Sequence, residues 1–160
     1  MLHMNNEYLN IYNNLIKLTR NKNLYFGLKN NDTFSDRLII LLFHFGFYLK
    51  IHKEKLSKNE AQDFFDFFIR QIELSIREIG YGDVSVNKKM KDYVNLFYSI
   101  LEKIEIWETL DKAKKLHVIG EFMNIKEDND LFVNYFDKYR EYILKNSLKN
   151  FTKDILDLKF

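Results

Sequence analysis

Residues 34–52 read FSDRLIILLFHFGFYLKIH, and apolar side chains occupy every side of a helix drawn through them. A helix that is apolar all round is typically the buried centre of a bundle. Thr33 precedes the stretch and Asp36 follows three residues later, which is close to the capping-box pattern that begins a helix. The longest apolar run, 38–43, is far shorter than the roughly 20 residues that a membrane-spanning helix needs. We therefore expect a buried central helix in a protein that is not itself transmembrane.

Helical spacing of apolar residues predicts further helices on both sides of this one. One predicted helix precedes it, at 7–20. The helices predicted after it cover 58–79, 86–107, 110–123 and 148–157, and one more begins at the acidic residues 127–130 and runs through Ile143. Ser57 with Glu60 predicts the start of the third helix, Gly80 its end, and Ser85 the cap of the next. Residues 21–31 read as a loop, and no alternating strand pattern stands out. The sequence predicts an all-α, single-domain helical bundle of about six or seven helices over 1–160.

Composition excludes several classes of function. The chain has no Cys and no Pro, so we expect neither a disulfide framework nor a thiolate metal site. The net charge of +2 is too small to indicate DNA binding. We find no Gly-rich phosphate loop, no Glu-x-x-His di-iron motif and no nucleophile elbow. We therefore expect no catalysis, no cofactor and no metal, and, since residues 1–7 lack a secretory signal, a cytoplasmic location.

His44 is the one polar residue deep within the apolar helix. A lone buried histidine is usually a core residue that is hydrogen-bonded to a neighbour. The alternative is an axial haem ligand, which an all-helical protein can provide from a single histidine. Both interpretations stay open at the level of sequence.

The helix at 58–79 has a wider apolar arc than one core contact needs. Phe67 and Leu74, seven residues apart, fall together outside its main apolar face. One interpretation is a helix packed between two neighbours. The other is that Phe67 and Leu74 form an exposed apolar strip for a partner protein.

The turn after this helix is rich in charge. The charged side chains around Gly80-Tyr81-Gly82 are Arg77, Glu78, Asp83, Lys88, Lys89, Lys91 and Asp92. Such a turn is most often only a helix connection. Fixed loop geometry that carries charges of both signs is also typical of binding surfaces.

Three stretches within about 33–105 resemble the ubiquinol–cytochrome c chaperone family in order and spacing. The first is Asp36-Arg37 followed by Leu42-Phe43-His44. The second, residues 75–83, reads SIREIGYGD and looks like the family's "LREMGVGD" signature. The third, residues 86–91, reads VNKKMK and is followed by Phe97-Tyr98, after which Ser99-Ile100 stand where the family usually has Gly-Arg.

The resemblance implies a non-catalytic assembly chaperone that binds newly made cytochrome b during biogenesis of the respiratory cytochrome bc complex. It implies a client at the membrane surface, further contact with the ribosome or a small partner protein, and a location on the cytoplasmic side of the inner membrane. The N-terminal and C-terminal helices would pack on the family-like core. The predicted partner-binding residues are Phe67, Leu74, Arg77, Glu78, Tyr81, Asp83, Lys88, Lys89, Lys91 and Tyr98. A haem-handling protein that uses His44, or a generic protein-interaction module, is the alternative.

Overall fold

The computed structural model describes residues 2–29, 33–127 and 129–146, with side chains from residue 6 onward. Six α-helices form in these ranges: α1 Leu2–Thr19, α2 Phe34–His52, α3 Lys58–Glu78, α4 Asp83–Glu105, α5 Lys112–Phe122 and α6 Leu131–Lys145. Short 3-10 helices connect them at Lys22–Gly27, Lys53–Lys55 and Trp107–Thr109. No strand forms within the same ranges, so the predicted all-α bundle is confirmed. The helix predicted at 148–157 lies outside the described residues.

Helix α2 lies at the centre of the bundle, as its apolar composition predicts. Its side chains from Leu38 to Tyr48 are almost all buried, and it packs against α1, α4 and α6. Phe45 stacks on Phe68 of α3 with ring centroids 3.6 Å apart, while Phe43 packs edge-on to Phe122 of α5. Each buried side chain of this size stabilises the fold by roughly 1.5–3 kcal/mol. Since α2 has partners on all sides, the bundle forms around it.

Two residues of α2 hold α4 in register beside it. A Cβ added at Gly46 would lie 2.6 Å from the Cδ1 atom of Ile104, so the missing side chain lets the two helices approach closely. One turn later, Lys50 Nζ donates hydrogen bonds to the carbonyl oxygens of Ile104 and Glu105, at 3.0 and 2.9 Å. These carbonyls lie in the last turn of α4, where that of Ile104 also accepts from the Ile106 amide just past the helix. Lys50 therefore caps α4 from the neighbouring helix.

The capping signals at the starts of α2 and α3 are confirmed. The Thr33 hydroxyl accepts from the Asp36 amide, and the Ser57 hydroxyl accepts from the Glu60 amide, each at 3.1 Å. These side chains satisfy amides that a helix leaves without partners at its start. Asp111 caps α5 in the same way, a signal that our sequence analysis missed.

Three boundaries differ from the sequence predictions. Helix α1 begins at Leu2 rather than residue 7, and the expected loop at 21–31 contains a 3-10 helix. The prediction that Ser85 caps α4 is wrong, because α4 begins at Asp83 with Gly82 in the cap position. Gly82 has an extended backbone and Ser85 is already within the first helical turn. The amide donors at this helix start therefore have no side-chain cap.

His44 is a fully buried core residue with hydrogen bonds at both ring nitrogens. Its Nδ1 lies 2.8 Å from the carbonyl oxygen of Ile40, which can only accept, so Nδ1 carries the proton. Its Nε2 lies 2.5 Å from the Tyr135 hydroxyl and accepts from it, while the Tyr139 hydroxyl donates to the His44 carbonyl. Neither ring nitrogen is left for an axial haem bond, so the geometry supports the core interpretation of His44.

We expect the stability of the protein to decrease as the pH falls below 6.5. Burial lowers the pKa of His44 from 6.5 to about 3, so the unfolded chain gains a proton that the folded chain does not take up. The contribution of His44 is therefore complete above pH 6.5 and is lost at about 1.4 kcal/mol per pH unit below it. Urea unfolding between about pH 7 and 5 should show this slope in the native chain and a smaller one in His44→Gln. Equal slopes in both chains would show that His44 is not the cause.

Candidate interaction surface

The turn between α3 and α4 has a backbone that only glycine adopts easily. Gly80 has a φ of +102°, in the left-handed region that side chains with a Cβ disfavour. It follows the last residues of α3, as the sequence predicted for a helix-ending glycine. Its amide donates to the Arg77 carbonyl, which closes the end of α3. The chain therefore reverses direction here within a few residues.

Arg77 links the two helices that this turn connects. Its guanidinium pairs with Asp83 in the first turn of α4 and with Glu73 one turn earlier in α3, at 2.5 and 3.0 Å. Arg70 also binds Glu73, at 3.1 Å. Asp83 raises the pKa of Arg77, and the hydrogen bond from Arg77 lowers the pKa of Glu73. Of the seven charges predicted to surround the turn, Arg77 and Asp83 thus belong to a chain of ion pairs that continues along α3 to Glu73 and Arg70.

Apolar side chains protrude from this turn into solvent. Val84 is 86% exposed, Ile79 54% and Tyr81 45%. The ammonium of Lys89 lies over the Tyr81 ring, 4.6 Å from its centroid, in a cation–π contact. We call residues 79–84 the corner. Sequence analysis did not predict that Val84 and Ile79 are exposed. Val86 is buried, so Val84, two residues earlier, faces the opposite side of α4.

A continuous stripe of exposed residues runs from the corner along the outer side of α4. It consists of Val84, Lys88, Lys91, Asn95 and Tyr98, which are spaced three and four residues apart. Tyr98 is 52% exposed and stacks on Phe65 of α3, which holds its ring at the surface. Lys88 and Lys91 form no ion pair with any described residue. The α4 stripe therefore combines uncompensated positive charge with one ordered aromatic ring.

Phe67 and Leu74 lie on the other side of α3. Phe67 is half-buried and its ring contacts Tyr8 of α1, 5.8 Å between centroids, whereas Phe65 faces α4. Leu74, seven residues after Phe67 and hence on the same side, is 39% exposed. Helix α3 is thus packed between α1 and α4, and only Leu74 of the predicted apolar strip stays on the surface.

Seven of the other eight predicted residues lie along the edge between α3 and α4, whereas Glu78, one turn after Leu74, lies on the side of α3 that faces Tyr12 of α1. Arg77 and Glu78 end α3, Tyr81 and Asp83 are in the corner, and the three lysines and Tyr98 follow on α4. Arg77 with Asp83, and Lys89 with Tyr81, are paired with each other. Glu78, Lys88, Lys91 and Tyr98 are exposed and available to a partner.

Concave surfaces lie elsewhere on the molecule. The larger groove, about 540 Å³, lies between α1, the end of α2, the start of α3 and the end of α6. A smaller one of about 160 Å³ lies between α1, α2 and α3. Neither includes a residue of the corner or the α4 stripe. Among the described residues no group of three His, Asp or Glu could hold a metal ion, and no helix is both long and apolar enough to cross a bilayer.

The described residues form an all-α bundle with exposed apolar and charged side chains along the edge between α3 and α4. The chain belongs to the ubiquinol–cytochrome c chaperone family, whose sequence model matches residues 27–115. The match confirms the family that residues 33–105 indicated, and it includes all of α2, α3 and α4 with the corner between them. No curated protein and no solved structure matches the chain.

We expect Gly80→Ala to lower the free energy of unfolding by about 1–2 kcal/mol, because alanine is strained in the left-handed region. Space is not the cause, since nothing lies within 4 Å of an added Cβ. Gly120→Ala is the matched control: it also meets nothing within 4 Å, but it lies within α5 and should stabilise by about 0.5–1 kcal/mol. Urea unfolding of both variants tests this. If both substitutions changed the free energy of unfolding in the same direction, a conformational role for Gly80 would be refuted.

Proposed function

We propose that the chain is a non-catalytic assembly chaperone that binds newly made cytochrome b during biogenesis of the respiratory cytochrome bc complex. The observation that carries this proposal is the family match over residues 27–115, together with the exposed edge that this range contains. Family membership supports a chaperone role in general. The identity of the client comes from the resemblance described above.

The α4 stripe is the part of this edge that fits a protein client best. Tyr98 offers a large amphipathic ring that is already held in place by Phe65, so little conformational entropy is lost when a partner covers it. Lys88 and Lys91 offer positive charge to acidic loops of the client. Exposed ionic contacts of this kind are individually weak and are screened by salt. A transient, releasable complex is what an assembly factor needs.

The proposed place of action is the cytoplasmic side of the inner membrane. A client that becomes a membrane subunit is exposed to water only while it is being made, so its chaperone must meet it at the membrane surface. A ribosome or a small partner protein would bring the two together.

The test is a pull-down of the tagged full-length chain from its native organism, with cytochrome b as the readout. We expect cytochrome b to come with the native chain, and Tyr98→Ala to reduce its recovery about tenfold, as the loss of a central aromatic contact does. Lys88→Glu with Lys91→Glu should reduce it further and remove its salt dependence. Tyr142→Ala, on α6 away from this edge, is the aromatic control and Lys114→Glu the charge control.

Two results would contradict the proposal. One is a native chain that recovers no cytochrome b. The other is a gene deletion that leaves the cytochrome bc complex at its normal level. Equal recovery by Tyr98→Ala and the native chain would instead move the client site away from the α4 stripe.

A further inference from the structure

The corner is a convex apolar tip, and such a tip is unusual on a water-soluble surface. Val84, Ile79 and Tyr81 are the most prominent apolar side chains of this end of the bundle, and Val84 has almost its whole side chain in solvent. The other apolar residues that begin α4 point inward, with Val86 fully buried. Exposed apolar clusters generally indicate a contact with a protein or a membrane.

The shape of the tip distinguishes between these two contacts. A peptide segment that a helical domain recognises usually lies in a groove, where side chains surround it. The corner lines neither of the grooves described above; it projects from the end of a helical hairpin. A convex apolar projection instead fits a soft surface that can close around it, as the boundary between headgroups and acyl chains does.

Positive charge lies at the distance from the apolar tip that such an insertion requires. Lys88 and Lys91 follow Val84 by four and seven residues on the same stripe, which places them about 6 and 10 Å behind it along α4. Interfacial elements insert their apolar residues about 5–10 Å into this boundary, so both ammonium groups would reach the phosphates. Tyr81 has an apolar ring and a polar hydroxyl, which is typical of residues at membrane interfaces.

The acidic residues nearby cancel only part of this charge. Asp83 is paired with Arg77 within the hairpin, so its charge is neutralised before any contact forms. Glu78 and Asp92 remain exposed and acidic. Lys88, Lys89 and Lys91 therefore leave a small positive excess around an apolar tip, which favours an anionic surface over a neutral one.

We propose that the corner inserts Val84, Ile79 and Tyr81 into the surface of an anionic bilayer, with Lys88 and Lys91 bound to lipid phosphates. This adds a second contact to the proposed function and uses the Val84 to Lys91 end of the α4 stripe, which leaves Asn95 and Tyr98 for the client while the chain is on the membrane. The contact is peripheral and reversible. It presents the rest of the α4 stripe beside the membrane.

The experiment is co-flotation of the full-length chain with vesicles of phosphatidylcholine and phosphatidylglycerol, compared with vesicles of phosphatidylcholine alone. We expect binding to the anionic vesicles, a loss of about tenfold or more in Val84→Asp, and a loss of about fivefold for each of Lys88→Gln and Lys91→Gln. Val84 is exposed, so this change should leave folding intact. Leu9→Asp on α1 and Lys114→Gln on α5 are the controls and should float like the native chain.

Val84→Trp provides a second readout that reports insertion directly. The chain has one tryptophan, Trp107, which is buried and far along the chain from the corner, so its emission should not change when vesicles are added. A blue shift of the new tryptophan with anionic vesicles supports insertion. No shift, or equal flotation of Val84→Asp and the native chain, overturns the proposal.

The two proposals fail separately. Tyr98→Ala should lose cytochrome b in the pull-down and keep vesicle binding, whereas Val84→Asp should keep cytochrome b in detergent extract and lose the vesicles. If Val84→Asp loses the client in detergent extract and the native chain does not float, the corner is a protein contact and the lipid proposal is wrong.

Discussion

The structure depends on one constraint: helix α2 is apolar on every side and must be covered on every side. A surface helix needs one neighbour, but α2 packs against α1, α4 and α6 at once, and its phenylalanines also reach α3 and α5. The same constraint explains its two unusual residues. Gly46 is small because α4 approaches there, and His44 is tolerated because Ile40, Tyr135 and Tyr139 satisfy its polar groups.

Covering α2 leaves the edge between α3 and α4 available for function. The inward sides of these helices are committed to the core, through Phe68 and Phe97 packed on Phe45. Their outward sides carry the ion pairs of Arg77, the protruding corner and the α4 stripe. Gly80 sets the backbone of the turn in this edge, and the ion pair between Arg77 and Asp83 links its two helices. A surface that is ordered before a partner binds loses less conformational entropy on binding.

Local signals in the sequence predicted the parts of the structure that depend on local interactions. The caps at Thr33 and Ser57 and the helix end at Gly80 each involve neighbouring residues only, and all three are confirmed. The cap expected from Ser85 failed because α4 begins at Asp83 with Gly82 in the cap position, so that Ser85 already lies in the first helical turn. The half-burial of Phe67 depends on Tyr8, about sixty residues away, which no helical wheel of α3 includes. The exposure of Val84 depends on where α4 begins, and the sequence predicted that start three residues too late. The family followed from motif order, whereas composition and periodicity alone indicated only a helical bundle.

Changes in the length of α4 are limited by the contact between Gly46 and Ile104 and by the cap from Lys50. They anchor α4 at its far end, some twenty residues from the corner. Phe97 faces inward onto Phe45, so the anchor and the core contacts fix the same rotation of α4 about its axis. Inserting or deleting one residue between Tyr98 and Ile104 would rotate these two sets of contacts by about 100° relative to each other, so that only one of them could form. The number of residues between the core contacts and the anchor is therefore constrained, and with it the direction in which the hairpin presents its outer side.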